Sequence, residues 1–260
     1  MKKFRKVYVD GDILLYEVAF ATQTNIYHIY VDGMEVWVGS DKRKINRIFK
    51  GIDYDYEKYV YVQPLLTAID TYEKKIQAYK RLFGTNRVEV VLTGSDNFRD
   101  EVAVTKPYKG TRKQPKPYNY GDLKLVMIEN GAVVTQNEEA EDYLSYMTCN
   151  QYHHVAVTLD KDAYNTPSYI YNPKKEELTY VSERDADKNF WTQMLTGDGV
   201  DNIPGLPRYG KVRAEKVLEN LSTYQELRKA VAFEYACHCL LYTSPSPRDC
   251  VSNLVCRLLL

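Results

Sequence analysis

The pattern that most restricts the fold is an acid pair set at the end of a short apolar run. KVYV (Lys6–Val9) leads into Asp10 and Asp12, and HVAVT (His154–Thr158) leads into Asp160 and Asp162. GAVVT (Gly131–Thr135) leads, after two residues, into EEAED (Glu138–Asp142), and VEVVLT (Val88–Thr93) is a further buried-strand candidate. Helical patterns separate these runs. ILLYEVAF (Ile13–Phe20) has helical apolar spacing, and PLLTAIDTYEKKIQAYKRLF (Pro64–Phe83) begins on Pro and is followed by Gly84. Strands alternating with helices predict an α/β fold, a mostly parallel central sheet with helices on both faces. Such a sheet binds ligands beyond its C-terminal strand ends, where these acids fall. NIYHIYVDGMEVWVG (Asn25–Gly39), alternating about Asp32-Gly33, predicts a hairpin.

A fourth acid pair, Asp198 and Asp201, opens a turn crowded with Gly and Pro in TGDGVDNIPGLPRYG (Thr196–Gly210). Each cluster has an ordinary reading as a helix-dipole partner or a loop cap. Together they are harder to set aside. Glu138 and Asp142, and Glu139 and Asp142, share a helix face, where like charges cost stability. Carboxylates that converge either take up protons or bind a cation. With no His or Cys among them, that cation is hard, Mg²⁺ or Mn²⁺. Their number exceeds the needs of one Mg²⁺ and suits two ions, the arrangement for in-line attack on a phosphodiester.

Between the strands lies FRDEVAVTKPYKGTRKQPKPYNYGDLK (Phe98–Lys124). Lys106, Lys109, Arg112, Lys113 and Lys116 crowd together there, interleaved with Tyr108 and followed by Tyr118 and Tyr120. As composition this is a solvated, Pro-rich loop. Beside a carboxylate site it offers cations for phosphate oxygens and aromatic faces for bases.

At 260 residues the chain suits one large domain, or a main domain with a small appendage. Formal net charge is zero, so nucleic-acid binding would need a local patch. No apolar run is long enough to span a bilayer, and MKKFRKVYVDGD reads as a first strand rather than a secretory signal. A cytoplasmic protein, in the host cell if phage-encoded, is expected. Only Cys149 of the five cysteines precedes the last 24 residues. There, Cys237, His238, Cys239 and Cys250 have spacing that suits no common tetrahedral zinc pattern. The segment LLYTSPSPRD resembles translated sequencing adapter, so residues 236–260 are expected to be a non-native tail replacing the true C-terminus.

Piecemeal, VYVDGD, VVLTGS and TGDGVDN resemble the haloacid-dehalogenase phosphatases. That resemblance implies phosphorylation of Asp10 and acid–base work by Asp12, and it leaves EEAED, LDKD and YKGTR unexplained. The order of all the motifs resembles the 5′-nuclease superfamily instead: flap endonucleases, the 5′-nuclease domain of bacterial DNA polymerase I, and above all the stand-alone 5′-to-3′ exonucleases of tailed phages. VYVDGD, FRDE (Phe98–Glu101), YKGTR (Tyr108–Arg112), EAED, LDKD and GDGVDNIPG fall in the family's sequence.

The resemblance implies a PIN-like nuclease core over 1–185 with a basic arch at about 98–124, then a helix–three-turn–helix DNA-binding region over 186–235. It implies metal-dependent hydrolysis of DNA from a 5′ end, as exonuclease or flap endonuclease, in phage DNA replication or degradation. Asp10, Glu139 and Glu141 would hold one Mg²⁺; Asp160, Asp162 and Asp201 would hold the other, with Asp142 and Asp198 in support. Lys109 and Arg112 would steady the developing phosphate charge, and Tyr108 would stack on a base. Lys106, Lys113, Lys116, Gly205, Gly210, Lys211 and Arg213 would hold DNA, and K⁺ would sit in the Gly/Pro turn. A monomer is expected. The chain departs from the family pattern at LTGSDN, where Asp96 stands in a shifted position, and at Glu141, where Asp is usual. A third reading is a non-catalytic DNA-structure-binding protein.

Overall fold

In the computed structural model the described residues are 3–99 and 115–242. Lys106, Tyr108, Lys109, Arg112 and Lys113 therefore lie outside the described residues. A six-stranded sheet has the order β6-β5-β1-β7-β8-β9. It comprises β1 (Lys6–Asp10), β5 (Val88–Leu92), β6 (Val133–Val134), β7 (His154–Val157), β8 (Tyr169–Asn172) and β9 (Glu177–Tyr180). All neighbours are parallel except β8 and β9. From β1 the chain builds outward to β5 and β6 on one side, then returns to β7 on the other. This reversal opens a crevice at the C-terminal ends of β1 and β7.

Alternation along the strands assigns each face. Val7 and Val9 point into the larger core, with Leu14, Leu15 and Val18 of α1 (Gly11–Ala21) and Ala68, Tyr72 and Tyr79 of α3 (Leu65–Phe83). Leu123 and Met127 of α4 (Tyr120–Glu129) complete it. Tyr8 points the other way, onto Ala140 and Leu144 of α5 (Ala140–Thr148). Helices thus cover both faces, as the strand–helix alternation predicts. Pro64 starts α3, and Gly84 ends it in the left-handed conformation at φ 64°.

A second, three-stranded antiparallel sheet, β3-β2-β4, stands apart from the main one. It contains β2 (Gln23–Val31), β3 (Met34–Gly39) and β4 (Asp55–Val62), with α2 (Lys42–Ile48) on one face. The expected hairpin turns at Asp32 and Gly33, both at positive φ, as a two-residue loop requires. β4 and α2 go beyond what the hairpin signal predicts. β4 is exposed over almost its whole length, so no apolar face marks it in the sequence.

The remaining helices, α6 (Glu183–Thr196), α7 (Lys211–Leu218) and α8 (Tyr224–Tyr242), close a separate core around Trp191, Leu195, Leu206, Tyr209, Leu218 and Leu227. α8 runs unbroken across residue 236, where the sequence places the start of the tail. No helix among the described residues is long and apolar enough to cross a membrane.

Between α6 and α7, a two-rung ladder pairs β10 (Gly197–Asp198) with β11 (Ile203–Pro204). Gly197, at φ 71°, and Gly205 lie back to back. A Cβ on Gly205 would stand 2.2 Å from the carbonyl carbon of Thr196, and one on Gly197 would stand 2.1 Å from the amide nitrogen of Gly205. Both contacts are to backbone, which cannot swing aside. Gly205→Ala is therefore expected to cost about 2 kcal/mol or more. Gly199→Ala, which meets nothing within 4 Å, should change stability by less than about 0.5 kcal/mol. Paired thermal melts of the two variants test this difference.

Candidate metal centre

The carboxylates collect where four parallel strands end. Asp10 closes β1 and caps α1. Its Oδ1 accepts the backbone N–H groups of Asp12 and Ile13, both at 3.1 Å, and its Oδ2 accepts the Thr158 hydroxyl at 3.0 Å. Asp12 Oδ2 accepts the Thr93 N–H beyond β5. Glu139, beyond β6, caps α5 and accepts the Asn97 amide at 2.8 Å. Asp160, beyond β7, receives the N–H of Asp162 at 2.9 Å and donates its own N–H to Thr158. Asp10, Asp12, Glu139, Glu141 and Asp160 line one cleft of about 410 Å³, with Tyr16, Phe20 and Thr93.

The second group comes from the residues after β7 and from the ladder that follows α6. Carboxylate oxygens of Asp162, Asp198 and Asp201 lie within 4.8 Å of one another, and Asp198 and Asp201 are buried. Gln193 of α6 donates to Asp162 at 2.6 Å and to Asp198 at 3.4 Å. The Lys161 ammonium sits 2.9 Å from Asp198. The back-to-back glycines fix this turn, so the tight Gly/Pro segment serves to aim the two aspartates.

Electrostatics follow the crowding. Burial, then the nearby Asp12 and Asp160 charges, outweigh the hydrogen bonds of Ile13 and Thr158 and push the Asp10 carboxyl up to about 7. Burial and sharing with Asp160 and Glu139 raise Glu141 strongly. Burial raises Asp162 too, against the Gln193 hydrogen bond and with the help of Asp160 and Asp198. Asp198 alone among these four shifts downward: burial opposes its charge, but Lys161 and the N–H groups of Val200 and Asp201 outweigh it. The direct Lys161 hydrogen bond, which Asp198 has, separates it from Asp162, which feels the same ammonium only at a distance and is still raised. The donors are all oxygen, and those of Asp162, Asp198 and Asp201 converge within the reach of one ion, so these residues fit a hard divalent cation.

The grouping differs in detail from the sequence expectation. Asp160 sides with Asp10, Glu139 and Glu141, and Asp198 belongs to the compact triad rather than supporting it from outside. Asp142 is not among the residues that line the cleft. Arg99 donates to both Asp142 oxygens, at 2.5 and 2.7 Å, and the same carboxylate accepts the N–H of Glu139 in a reciprocal cap of α5. Asp96 is exposed and does not line the cleft. The space beside Gly205 is filled by the chain's own backbone, so the tight turn itself requires glycine there. Gly210 leads α7 with open space around it. Lys211 is exposed near Glu215, Arg213 stacks on Tyr209 at 4.0 Å, and Lys116 lies over Tyr120 at 4.7 Å. Thr158, Thr93, Asn97, Arg99, Lys161 and Gln193 also serve the site, and the sequence pattern singles out none of them. Thr158 and Lys161 are the nearest to being legible, since they flank Asp160 in the same run.

No protein-family model and no curated protein matches the chain. Its fold is that of the 5′-nucleases. Among solved structures it is similar to the bacteriophage T5 flap endonuclease in a pseudo-enzyme–product complex with DNA and metal ions. That match has 13% identity and a TM-score of 0.58, covering 92% of this chain and 86% of that one. It is likewise similar to T5 5′-exonuclease with zinc bound, at 13% identity and a TM-score of 0.56, over 98% of this chain and 86% of the other.

Asp10 gives a direct test of the crowding. Its folded pKa lies above the ordinary 3.8, so its contribution is intact at low pH and is lost as pH rises through about 7. An Asn side chain can keep the helix cap without the charge. In chelator at pH 8, Asp10→Asn is expected to raise the melting temperature by on the order of 5 °C, and at pH 5 by less than about half as much, because the unfolded carboxyl already ionises there. Thermal melts at the two pH values measure the difference.

Proposed function

We propose that the protein is a Mg²⁺-dependent 5′ nuclease that hydrolyses DNA phosphodiester bonds near a 5′ end. The observation that carries this reading is the convergence of two all-oxygen carboxylate groups at the C-terminal edge of a parallel sheet with the 5′-nuclease fold. Asp10, Glu139, Glu141 and Asp160 would hold one ion; Asp162, Asp198 and Asp201 would hold the other. When bound, the ions supply charge neutralisation for the phosphate and a lowered pKa for an attacking water.

The chain's own residues arrange the site. Thr158 bridges the Asp10 carboxylate and the Asp160 N–H, and Gln193 joins Asp162 to Asp198, so each group is braced from within. Lys161 holds Asp198 ionised and ready to bind a cation. The basic segment around Lys106, Tyr108, Lys109, Arg112 and Lys113 would bind the phosphate and the 5′ end. Helices α6 to α8 would form the DNA-binding region, with Lys211 and Arg213 at the backbone. Cations gripping phosphates there give affinity without base preference.

The phosphatase reading asks for a free Asp10 nucleophile. Here both Asp10 oxygens are engaged and the cleft carries five more carboxylates, which favours cations over a phosphoaspartate.

A forked duplex with a radioactive 5′-phosphate tests the proposal. Mg²⁺ should release labelled nucleotides or short oligonucleotides, and chelator should stop the release. Asp162→Asn should slow cleavage by more than the roughly 10- to 100-fold that loss of an outer partner costs. Release of free inorganic phosphate, or full activity in the Asp162→Asn protein, would overturn the proposal.

A further inference from the structure

The second sheet carries a charge pattern that the metal centre does not use. α2 buries Ile45 and, just past its end, Phe49 against Tyr27 and Ile29 of β2. Turned outward from this seam are Lys42, Arg43, Lys44, Arg47 and Lys50, all exposed. None forms an ion pair with another described residue. Asp41, the one acid among them, uses its carboxylate to cap α2 through the N–H groups of Arg43 and Lys44. The register of β4 adds Lys58, opposite Tyr27 on the same side of the sheet.

The acids of this small sheet lie on its other face. Glu35, Asp55 and Glu57 stand in register with Tyr30 and His28, where Glu35 pairs with the His28 ring and Glu57 accepts the Tyr30 hydroxyl. Charge is thus segregated across one sheet in a chain whose net charge is zero. Arg43 and Arg47 are four apart, and Lys44 and Arg47 three apart, spacings at which like charges destabilise a helix. A partner that neutralises them offsets that cost.

The position of the patch indicates the partner. α1 runs from Asp10 to the root of the small sheet, about 16 Å for its 11 residues. Tyr27 and Ile29 lie four to six residues further along β2, about 13 to 20 Å. The patch is therefore within about one turn of duplex, roughly 34 Å, of the carboxylates. The root is tied to the end of the basic segment: Gln23 accepts the Tyr118 N–H at 2.9 Å, and the Gln63 carbonyl accepts the Asn119 amide at 3.1 Å. Long flexible cations without a buried aromatic anchor suit a sugar–phosphate backbone, which asks for charge rather than shape.

We infer that the α2 face of the β2–β4 sheet is a second DNA-backbone contact that grips substrate phosphates about one helical turn or less from the metal centre. The inference rests on the nuclease reading and is tested apart from it. A variant carrying Lys42→Gln, Arg43→Gln, Lys44→Gln, Arg47→Gln and Lys50→Gln is compared with the parent chain, after melts confirm that both are folded. Binding of a fluorescein-labelled forked duplex is followed by anisotropy in Ca²⁺ over a series of salt concentrations, and cleavage in Mg²⁺ is followed separately at saturating DNA.

The variant is expected to bind at least about tenfold more weakly at moderate salt. Its log–log salt slope should be shallower by about 0.9 for each phosphate that is no longer neutralised, roughly 3 in all. Its rate at saturation should match the parent's. Equal affinity and slope, with the parent binding and cleaving normally, would overturn this inference alone and assign the patch to an acidic protein or to solvent. A parent that neither binds nor cleaves the fork would overturn the nuclease reading, and this inference with it. Should the five-site variant not fold, Arg43→Gln with Arg47→Gln carries the same comparison, with a slope shallower by about 2.

Discussion

Everything in this molecule answers to the mutual repulsion of carboxylates gathered at one edge of a sheet. A parallel sheet delivers the ends of β6, β5, β1 and β7 to the same place, and acids stand at or near three of those ends. Their proximity costs free energy, and the fold offsets part of it through donors that are themselves fixed. Backbone N–H groups at the start of α1 and the Thr158 hydroxyl hold Asp10. Lys161 and two N–H groups hold Asp198. Burial first, and then the repulsion these donors leave, raise the Asp10 and Glu141 carboxyls. A cation between them would relieve both costs at once.

The parts legible in the sequence are those whose cause is local. Alternating Val and Tyr before Asp10 make a strand buried on both faces, and Pro64 and Gly84 bound a helix by their own backbone geometry. Asp32-Gly33 makes a two-residue turn for the same reason. The acid pairs are readable as a site because like charges at close spacing need a common explanation.

The parts that stay hidden depend on what lies across space. Nothing in EEAED shows that Asp142 turns to Arg99 while its neighbours face the cleft. Nor does the sequence show that Thr196 and Gly197 occupy the place a side chain on Gly205 would take. β4 lacks an apolar face because it is nearly all exposed, and the cations of α2 become a patch only once Ile45 and Phe49 have chosen the buried side.

The Arg99 clamp has a consequence for how distant parts of the chain communicate. One carboxylate, Asp142, holds both the guanidinium of Arg99 and the backbone N–H of Glu139, whose own side chain faces the cleft. Arg99 stands at the start of the Phe98–Lys124 segment. Displacing it would free Asp142 and loosen the cap that orients Glu139. Thermodynamic linkage makes such a coupling reciprocal: whatever strengthens the Arg99 clamp through the seating of Glu139 is itself strengthened by the clamp to the same degree. A single arginine thus joins the chain at Phe98 to the cap that seats Glu139.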